Sequence, residues 1–377
     1  MNYFAPMEDH AVLREESNYL AEILVATTWR CNLNCTYCFI RNHQIARESV
    51  QMTPEIAIRI VDLLDKALVH FETICIHFYG GEPLINLPAV QAMVDRACQK
   101  KPGRFRFAIT TNGYTDNPSV FKILEKGNFQ IILSIDGPEK IHDQCRRTIT
   151  NKPTHATVLK FLESVKEKTH CWVRGSSVVR SEWSLKNAIE YLSKLPVDAF
   201  KAQAVRAKIG SPFSLSDKEK SNYLNELEEI GKTVISEIED GHVPKDDRFS
   251  NRVLQLLTGK KRDSFCGAGY STFGITPDGT ILPCLLMDEK EATIGHIKDN
   301  LTEWIKNGQK WRKEHNVRIE CNNCSAIKLC GGGCYAITPV CGEEECEIVR
   351  KNCEVASLIY SHFKRNPEKL LVLAGIL

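Results

Sequence analysis

Apolar runs alternate with polar turns and helically spaced segments through residues 21–205. Residues 21–27, AEILVAT, read as a buried strand. A helix is predicted at 54–68: Thr53 caps it and Pro54 suits its first turn. Its apolar positions Ile56, Ile60, Leu63, Leu64, Ala67 and Leu68 fall near helical spacing. Three segments then read as strand followed by turn: ICIHFYGGEP (74–83), FRFAITTNG (105–113) and IILSIDGP (131–138). Further strands are predicted at 171–179 and 198–205. Strand, polar turn and helix in repetition imply βα units, a parallel sheet and an α/β fold. Sites in such folds gather at the C-terminal ends of strands. The cysteine loop after the first strand, GGEP, TNG and SIDG all fall at such ends.

The pattern changes after residue 210. Ser216-Asp217-Lys218-Glu219 forms a capping box ahead of a polar amphipathic helix ending near Gly241, read as an interdomain connector. From Cys266 onward regular periodicity is weak, with a hairpin predicted at Pro277-Asp278-Gly279. Metal rather than a large core is expected to hold that segment. The C-terminal LLVLAGIL (370–377) reads as a packed tail.

The N-terminal twenty residues carry charges throughout and lack the apolar stretch of a signal peptide. No segment approaches the roughly 18–20 apolar residues that span a bilayer. The expected compartment is the cytoplasm, with no membrane partner. Lys and Arg number 49 against 47 Asp and Glu, a net charge of +2, which gives no electrostatic case for nucleic acid. The 377 residues suffice for two domains, or one α/β domain with an appendage.

The unusual feature is 16 cysteines, nine of them between Cys266 and Cys353. In a reducing compartment, dense cysteines read as metal ligands or catalysts before disulfides. Thiolates select zinc, copper(I) and iron–sulfur clusters. The first group, Cys31-Asn-Leu-Asn-Cys35-Thr-Tyr-Cys38, has three cysteines and no fourth nearby. Three thiolates on one tight loop suit three irons of a cubane, with the fourth iron open to substrate. A zinc site closed by a distant histidine is the alternative.

CNLNCTYC matches the CxxxCxxC signature of radical S-adenosylmethionine (SAM) enzymes. The resemblance continues through YGGEPL (79–84), TTNG (110–113) and SIDGPEKIHDQCRR (134–147). The later cysteines resemble the SPASM extension: Cys266-x12-Gly279-x4-Cys284, then Cys321-x2-Cys324-x5-Cys330-x3-Cys334-x18-Cys353. The resemblance covers residues 22–206 and 266–353. It implies a partial (β/α)6 TIM-type barrel at 1–210, a helical connector at 211–260, a SPASM domain at 261–365 and a tail at 366–377.

The resemblance further implies that Cys31, Cys35 and Cys38 bind a 4Fe–4S cluster whose open iron is chelated by SAM. Reductive cleavage of SAM then yields a radical that abstracts hydrogen from an unactivated C–H bond. Gly80, Gly81, Glu82 and Pro83 would meet the SAM amino group. Ser134 and Asp136 would bond the ribose or form a turn. Arg146 would sit near the SAM carboxylate or in an ion pair. Asn112 would line the pocket or shape the turn with Gly113. Tyr37 would lie near the adenine or pack under the loop.

By the same pattern, Cys266, Cys284 and Cys334 would bind a first auxiliary cluster. Cys321, Cys324, Cys330 and Cys353 would bind a second. Residues 254–265 lack the upstream cysteine that completes the first cluster in relatives. Its fourth position is open, or filled by Cys341 or Cys346. Cys75, Cys98, Cys145 and Cys171 read as small buried hydrophobes.

The implied function is oxidation or crosslinking of a ribosomal peptide or protein under anaerobic conditions. Alternatives are a small-molecule or cofactor-precursor substrate, sulfatase maturation, or a non-catalytic zinc- or cluster-binding module. Against sulfatase maturation, Leu285 stands where such enzymes place a basic aspartate directly after the second SPASM cysteine. Asp288 and Glu289 are nearby. A flavodoxin or ferredoxin is the expected reductant. The first strand starts at residue 21, so a leader peptide would need a separate binding protein or the barrel itself.

Overall fold

In the computed structural model, residues 20–42, 50–208, 210–300, 302–315 and 321–374 are described. The N-terminal segment before the first strand and the last three residues of the tail lie outside them. The strands are β1 (Leu20–Ala26), β2 (Thr73–Tyr79), β3 (Phe105–Thr111), β4 (Gln130–Ser134), β5 (Trp172–Val179) and β6 (Ala199–Ala204), then β7 (Thr272–Ile275), β8 (Thr280–Leu282) and β9 (Gly295–His296). The main helices of the first half are α1 (Pro54–Ala67), α2 (Leu87–Cys98), α3 (Ser119–Gly127), α4 (Glu139–Cys145) and α5 (His155–Lys168). Later come α6 (Leu185–Ser193), α7 (Asp217–Glu239), α8 (Ser250–Thr258), α9 (Glu303–Glu314) and α10 (Glu343–His362).

Two compact units divide the chain, each drawn from separate stretches of sequence. Among the described residues, one holds residues 20–175 together with 267–314. Its sheet runs β4-β3-β2-β1-β7-β8-β9. The pairs β1–β2, β2–β3, β3–β4 and β1–β7 are all parallel. Parallel strands need a crossover, and α1, α2 and α3 supply those between β1 and β4. Every β2 residue but the last is buried, as covered parallel sheets require. Phe78, Phe107 and Phe129 stack within the core at 5.3 to 6.4 Å between ring centroids. The Thr53 hydroxyl accepts from the Ile56 amide at the start of α1, and Ala57, Ile60, Leu64 and Ala67 form the helix's buried stripe.

The expected hairpin at 277–279 forms, with Gly279 at φ +96°. It belongs to this sheet: β7 lies along the free edge of β1. In β7, Gly274 leaves no room for a side chain, since a Cβ would fall 2.4 Å from the Leu285 nitrogen.

The other unit holds residues 176–266 and 315 onward. The Ser216–Glu219 capping box forms and starts the 23-residue α7. This helix packs along α10, and α8 packs against α10 and the 3₁₀ turn at Pro367–Ala374. Leu370, Val372 and Leu373 are buried there, so the described part of the tail is packed. The 20-residue α10 is at odds with the weak periodicity read after Cys266. Glu343, Glu344 and Glu345 favour its N-terminus, and Val349, Cys353, Ala356 and Ile359 give it a buried face.

Among the four cysteines read as buried hydrophobes, Cys75 and Cys171 are buried and Cys145 is half-buried. Cys98, the last residue of α2, is exposed, which corrects that expectation.

Candidate active site

The chain leaves β1 through Thr27 and Thr28 into the loop carrying Cys31, Cys35 and Cys38. On one flank the turn after β2 grips the loop. The Gly81 amide donates to the Thr28 carbonyl at 3.2 Å, and the Glu82 amide to the Arg30 carbonyl at 2.8 Å. A Cβ at Gly81 would lie 2.1 Å from the Arg30 oxygen, so only glycine permits this approach. On the other flank, Asn34 donates to the Arg147 carbonyl (2.7 Å), Thr36 to the Cys145 carbonyl (3.2 Å), and Ile149 back to the Asn32 carbonyl (3.2 Å). The Asn86 amide anchors the loop's base at the Thr27 and Met52 carbonyls.

Donors reach the sulfurs. The Leu33 amide lies 3.4 Å from Cys31 Sγ, and Asn112 Nδ2 lies 3.6 Å from the same atom. Arg146 Nη1 lies 3.9 Å from Cys35 Sγ. Asn112 also shapes its turn: its side chain donates to Asn32 and accepts from the Tyr114 amide, beside Gly113 at φ +67°. Asn32, which the sequence reading did not single out, donates in turn to the Tyr114 carbonyl. Burial pushes the Cys31 thiol up to about 12 and Cys35 up to about 11. Thiols held this high ionise only beside a cation, and soft thiolates on one loop with donors at their sulfurs fit an iron–sulfur cluster. Cys38 packs into an apolar patch with Trp29, Ile40, Leu285 and Leu286.

Glu82 and Asp136 both have protein partners. The Glu82 carboxylate, expected at an ammonium, accepts from the Leu84 amide (3.0 Å), the Thr111 hydroxyl (2.8 Å) and the Asn112 amide (2.8 Å). Burial raises it to about 7. Its bonds tie the ends of β2 and β3 together, which makes it a brace under the loop. Pro83 opens the short 3₁₀ turn that follows. Asp136, expected at a ribose, is wholly buried. It accepts from the Tyr37 hydroxyl at 2.5 Å and from Arg146 Nε at 3.1 Å. The Arg146 guanidinium lies 5.4 Å from the Tyr37 ring centroid. Tyr37, Asp136 and Arg146 thus form one buried group beneath Cys35. Burial holds the Tyr37 hydroxyl well above the ordinary phenol range, so it donates as a neutral phenol. Ser134 ends β4, half-buried.

His142 supports this group. Burial drops it to about 4, so the ring is neutral. The Asp136 amide donates to Nδ1 at 3.3 Å, which puts the proton on Nε2. Nε2 donates to Thr154, whose hydroxyl donates to the Arg146 carbonyl. This brace was not read from the sequence; the only signal was a His in the helix after SIDG.

The first unit also contains Cys284, half-buried, followed by the fully buried Leu285. Asp288 is exposed and caps a short helix through the Lys290 amide, and Glu289 lies in that helix's first turn. In the other unit, Cys324, Cys330 and Cys353 share a cluster with Ala326 and Val349. Cys321 Sγ lies 3.9 Å from the Gly332 carbonyl. Burial raises both Cys330 and Cys334. Cys266 and Cys346 are half-buried and Cys341 is buried. Among the described residues, no three His, Cys, Asp or Glu side chains converge tightly enough for a single metal ion.

Family comparison matches the radical SAM superfamily over residues 25–178 and the SPASM iron–sulfur cluster-binding domain over 266–335. The chain is a radical SAM enzyme with a SPASM domain, related to peptide- and protein-modifying maturases. SAM and 4Fe–4S clusters are the cofactors of these domains. It is 26% identical over 344 residues to a cysteine-type anaerobic sulfatase-maturating enzyme of Clostridium novyi, covering 84% of this chain and 87% of that one. It is 24% identical over 347 residues to the radical SAM cyclopropyl synthase TigE of Paramaledivibacter caminithermalis, covering 85% and 69%. The structure of anSMEcpe with bound AdoMet and a Cp18Cys peptide shares the fold at a TM-score of 0.77 and 20% identity, covering 92% and 99%. Among the described residues no helix is long and apolar enough to cross a membrane.

Proposed function

We propose that this chain is a cytoplasmic peptide or protein maturase that oxidises or crosslinks a side chain of a ribosomally made substrate. Cys31, Cys35 and Cys38 hold the cluster that binds SAM. With SAM bound and one electron delivered, that site supplies a hydrogen-abstracting radical. The chain's own residues orient and shield it. The GGEP turn fixes the loop, Asn112 and Arg146 donate to sulfur, and the Tyr37–Asp136–Arg146 group fills the space beneath. The SPASM cysteines hold auxiliary clusters, and a flavodoxin or ferredoxin supplies the electron. A leader peptide is gripped by a separate protein or by the barrel.

The observation that carries this reading is the likeness over most of the chain to maturases, joined to a three-cysteine loop braced on both flanks. Sulfatase maturation is the second reading, favoured by the Clostridium novyi relative. Leu285 weighs against it: it is fully buried among Ala26, Trp29 and Ile40, where a carboxylate would be desolvated and unpaired.

The test is anaerobic incubation with SAM, dithionite and short peptides encoded beside the gene, read by mass spectrometry. Release of 5′-deoxyadenosine with loss of about two hydrogens from a peptide is expected. Formylglycine on a sulfatase peptide would move the assignment to the second reading. Modification of a small molecule alone would overturn the peptide assignment.

A further inference from the structure

Cys334 lies four residues before Thr338, and Thr338 and Cys341 are the first and last residues of a four-residue helical turn. The Thr338 amide donates to the Cys334 carbonyl at 3.0 Å, and the Cys341 amide to the Ile337 carbonyl at 2.9 Å. That spacing brings the Thr338 and Cys341 side chains to one side of the turn, next to the Cys334 backbone. Thr338 is 1% exposed, and its hydroxyl has no hydrogen-bond partner. A buried hydroxyl left without a partner costs roughly 1–3 kcal/mol and calls for an acceptor that the protein itself does not supply. Cys341 is 4% exposed, and its thiol lies within electrostatic reach of Cys334, Arg206, Glu344 and Glu345. Burial raises Cys334 as well, and the Arg206 charge offsets part of the rise at both thiols. Cys346 differs: it is half-buried in the first turn of α10.

We propose that Cys341 supplies the fourth thiolate of the auxiliary cluster that Cys334 ligates, with the Thr338 hydroxyl donating a hydrogen bond to a sulfur of that cluster. The cluster is therefore closed, and it carries electrons or tunes potential without binding substrate. Two features support this: a second buried cysteine seven residues after Cys334, and an unpartnered buried hydroxyl on the turn that carries it. The inference rests on the reading that the SPASM cysteines hold clusters.

The experiment uses the full chain, anaerobically loaded, with iron and sulfide analysis, Mössbauer and EPR spectroscopy, and cyanide as a probe of open iron. Without SAM, wild-type protein should hold about twelve irons per chain, with only the SAM-binding cluster responding to cyanide. In C341A one auxiliary cluster should gain a cyanide-responsive iron, while C346A should match wild type. T338V should keep all the iron and shift that cluster to lower potential, because it removes a donor to sulfur. If C341A does not fold, wild type alone decides: an auxiliary cluster that binds cyanide overturns the proposal. A response produced by C346A rather than C341A overturns it too. About four irons per chain would instead overturn the cluster reading on which it rests.

Discussion

The loop at 31–38 is tied in place by protein groups alone. Its backbone bonds to the GGEP turn on one flank and to residues 145–149 on the other, and amide and guanidinium donors already reach two of its sulfurs. The cysteine-rich unit contrasts with it. There the Thr338 hydroxyl, both polar atoms of the Asn251 side chain and Gln255 Oε1 are buried without partners. One region is a preformed socket. The other keeps these polar groups unpartnered, whereas at the socket's base only the Thr27 hydroxyl, among the described residues 26–38, is buried without a partner. The comparison teaches that chemistry and electron handling place different demands on the fold: a site that orients a reactive group must be rigid beforehand.

Removing a ligand from the socket has the largest expected effect. Cys35→Ala should cut 5′-deoxyadenosine formation to background and lower iron by about four per chain, leaving the auxiliary clusters spectroscopically intact. Loss of all iron together would show that the two regions are not independent. Gly81→Ala is next. Its Cβ would meet the Arg30 oxygen at 2.1 Å, and backbone must shift. The cost should be about 2 kcal/mol or more, read as a drop in unfolding midpoint of the cluster-free protein. An unchanged midpoint would mean that the socket is looser than its hydrogen bonds imply.

The socket was largely legible in the sequence because each part of it ends a strand. GGEP, TNG and SIDG punctuate apolar runs, and parallel βα repetition brings strand ends to one edge. The sequence did not indicate which groups the side chains would choose. Glu82 and Asp136 have as protein partners backbone amides, a hydroxyl, Tyr37 and Arg146, all brought together only by folding. The pairing of β7 with β1 joins residues some 250 apart, and no local pattern records it. The helix α10 was not legible because its cysteines fit a metal-held segment equally well, although Val349, Cys353 and Ala356 keep helical spacing.

A pH experiment sharpens the account of the socket. His142 is neutral in the fold, with its proton affinity lowered to about 4 by burial. In the unfolded chain an imidazole titrates near 6.5. Between those values the unfolded state binds the extra proton, so stability is full above about 6.5 and is lost as pH falls toward about 4. The largest possible loss from this residue is about 3 kcal/mol. His142→Gln keeps a donor toward Thr154 and removes the titration. Urea unfolding of the cluster-free protein should show a shallower acid-side decline in the variant. Parallel declines would mean that His142 is not held neutral.

The smallest effect tests the other side of the comparison. Ser216 and Glu219 cap α7 reciprocally, and α7 packs along α10, which carries Cys346 and Cys353. Ser216→Ala leaves the helix's first amides short of one acceptor and should cost about 1 kcal/mol. Faster amide exchange in the first turn of α7 is the expected reading, with iron content unchanged. The reason is local: the cap acts on one helix end, whereas Cys353 lies on the buried face of α10. If iron were lost as well, cluster retention would depend on the stability of α7, and the unit would be held together by its helices more than by its metal.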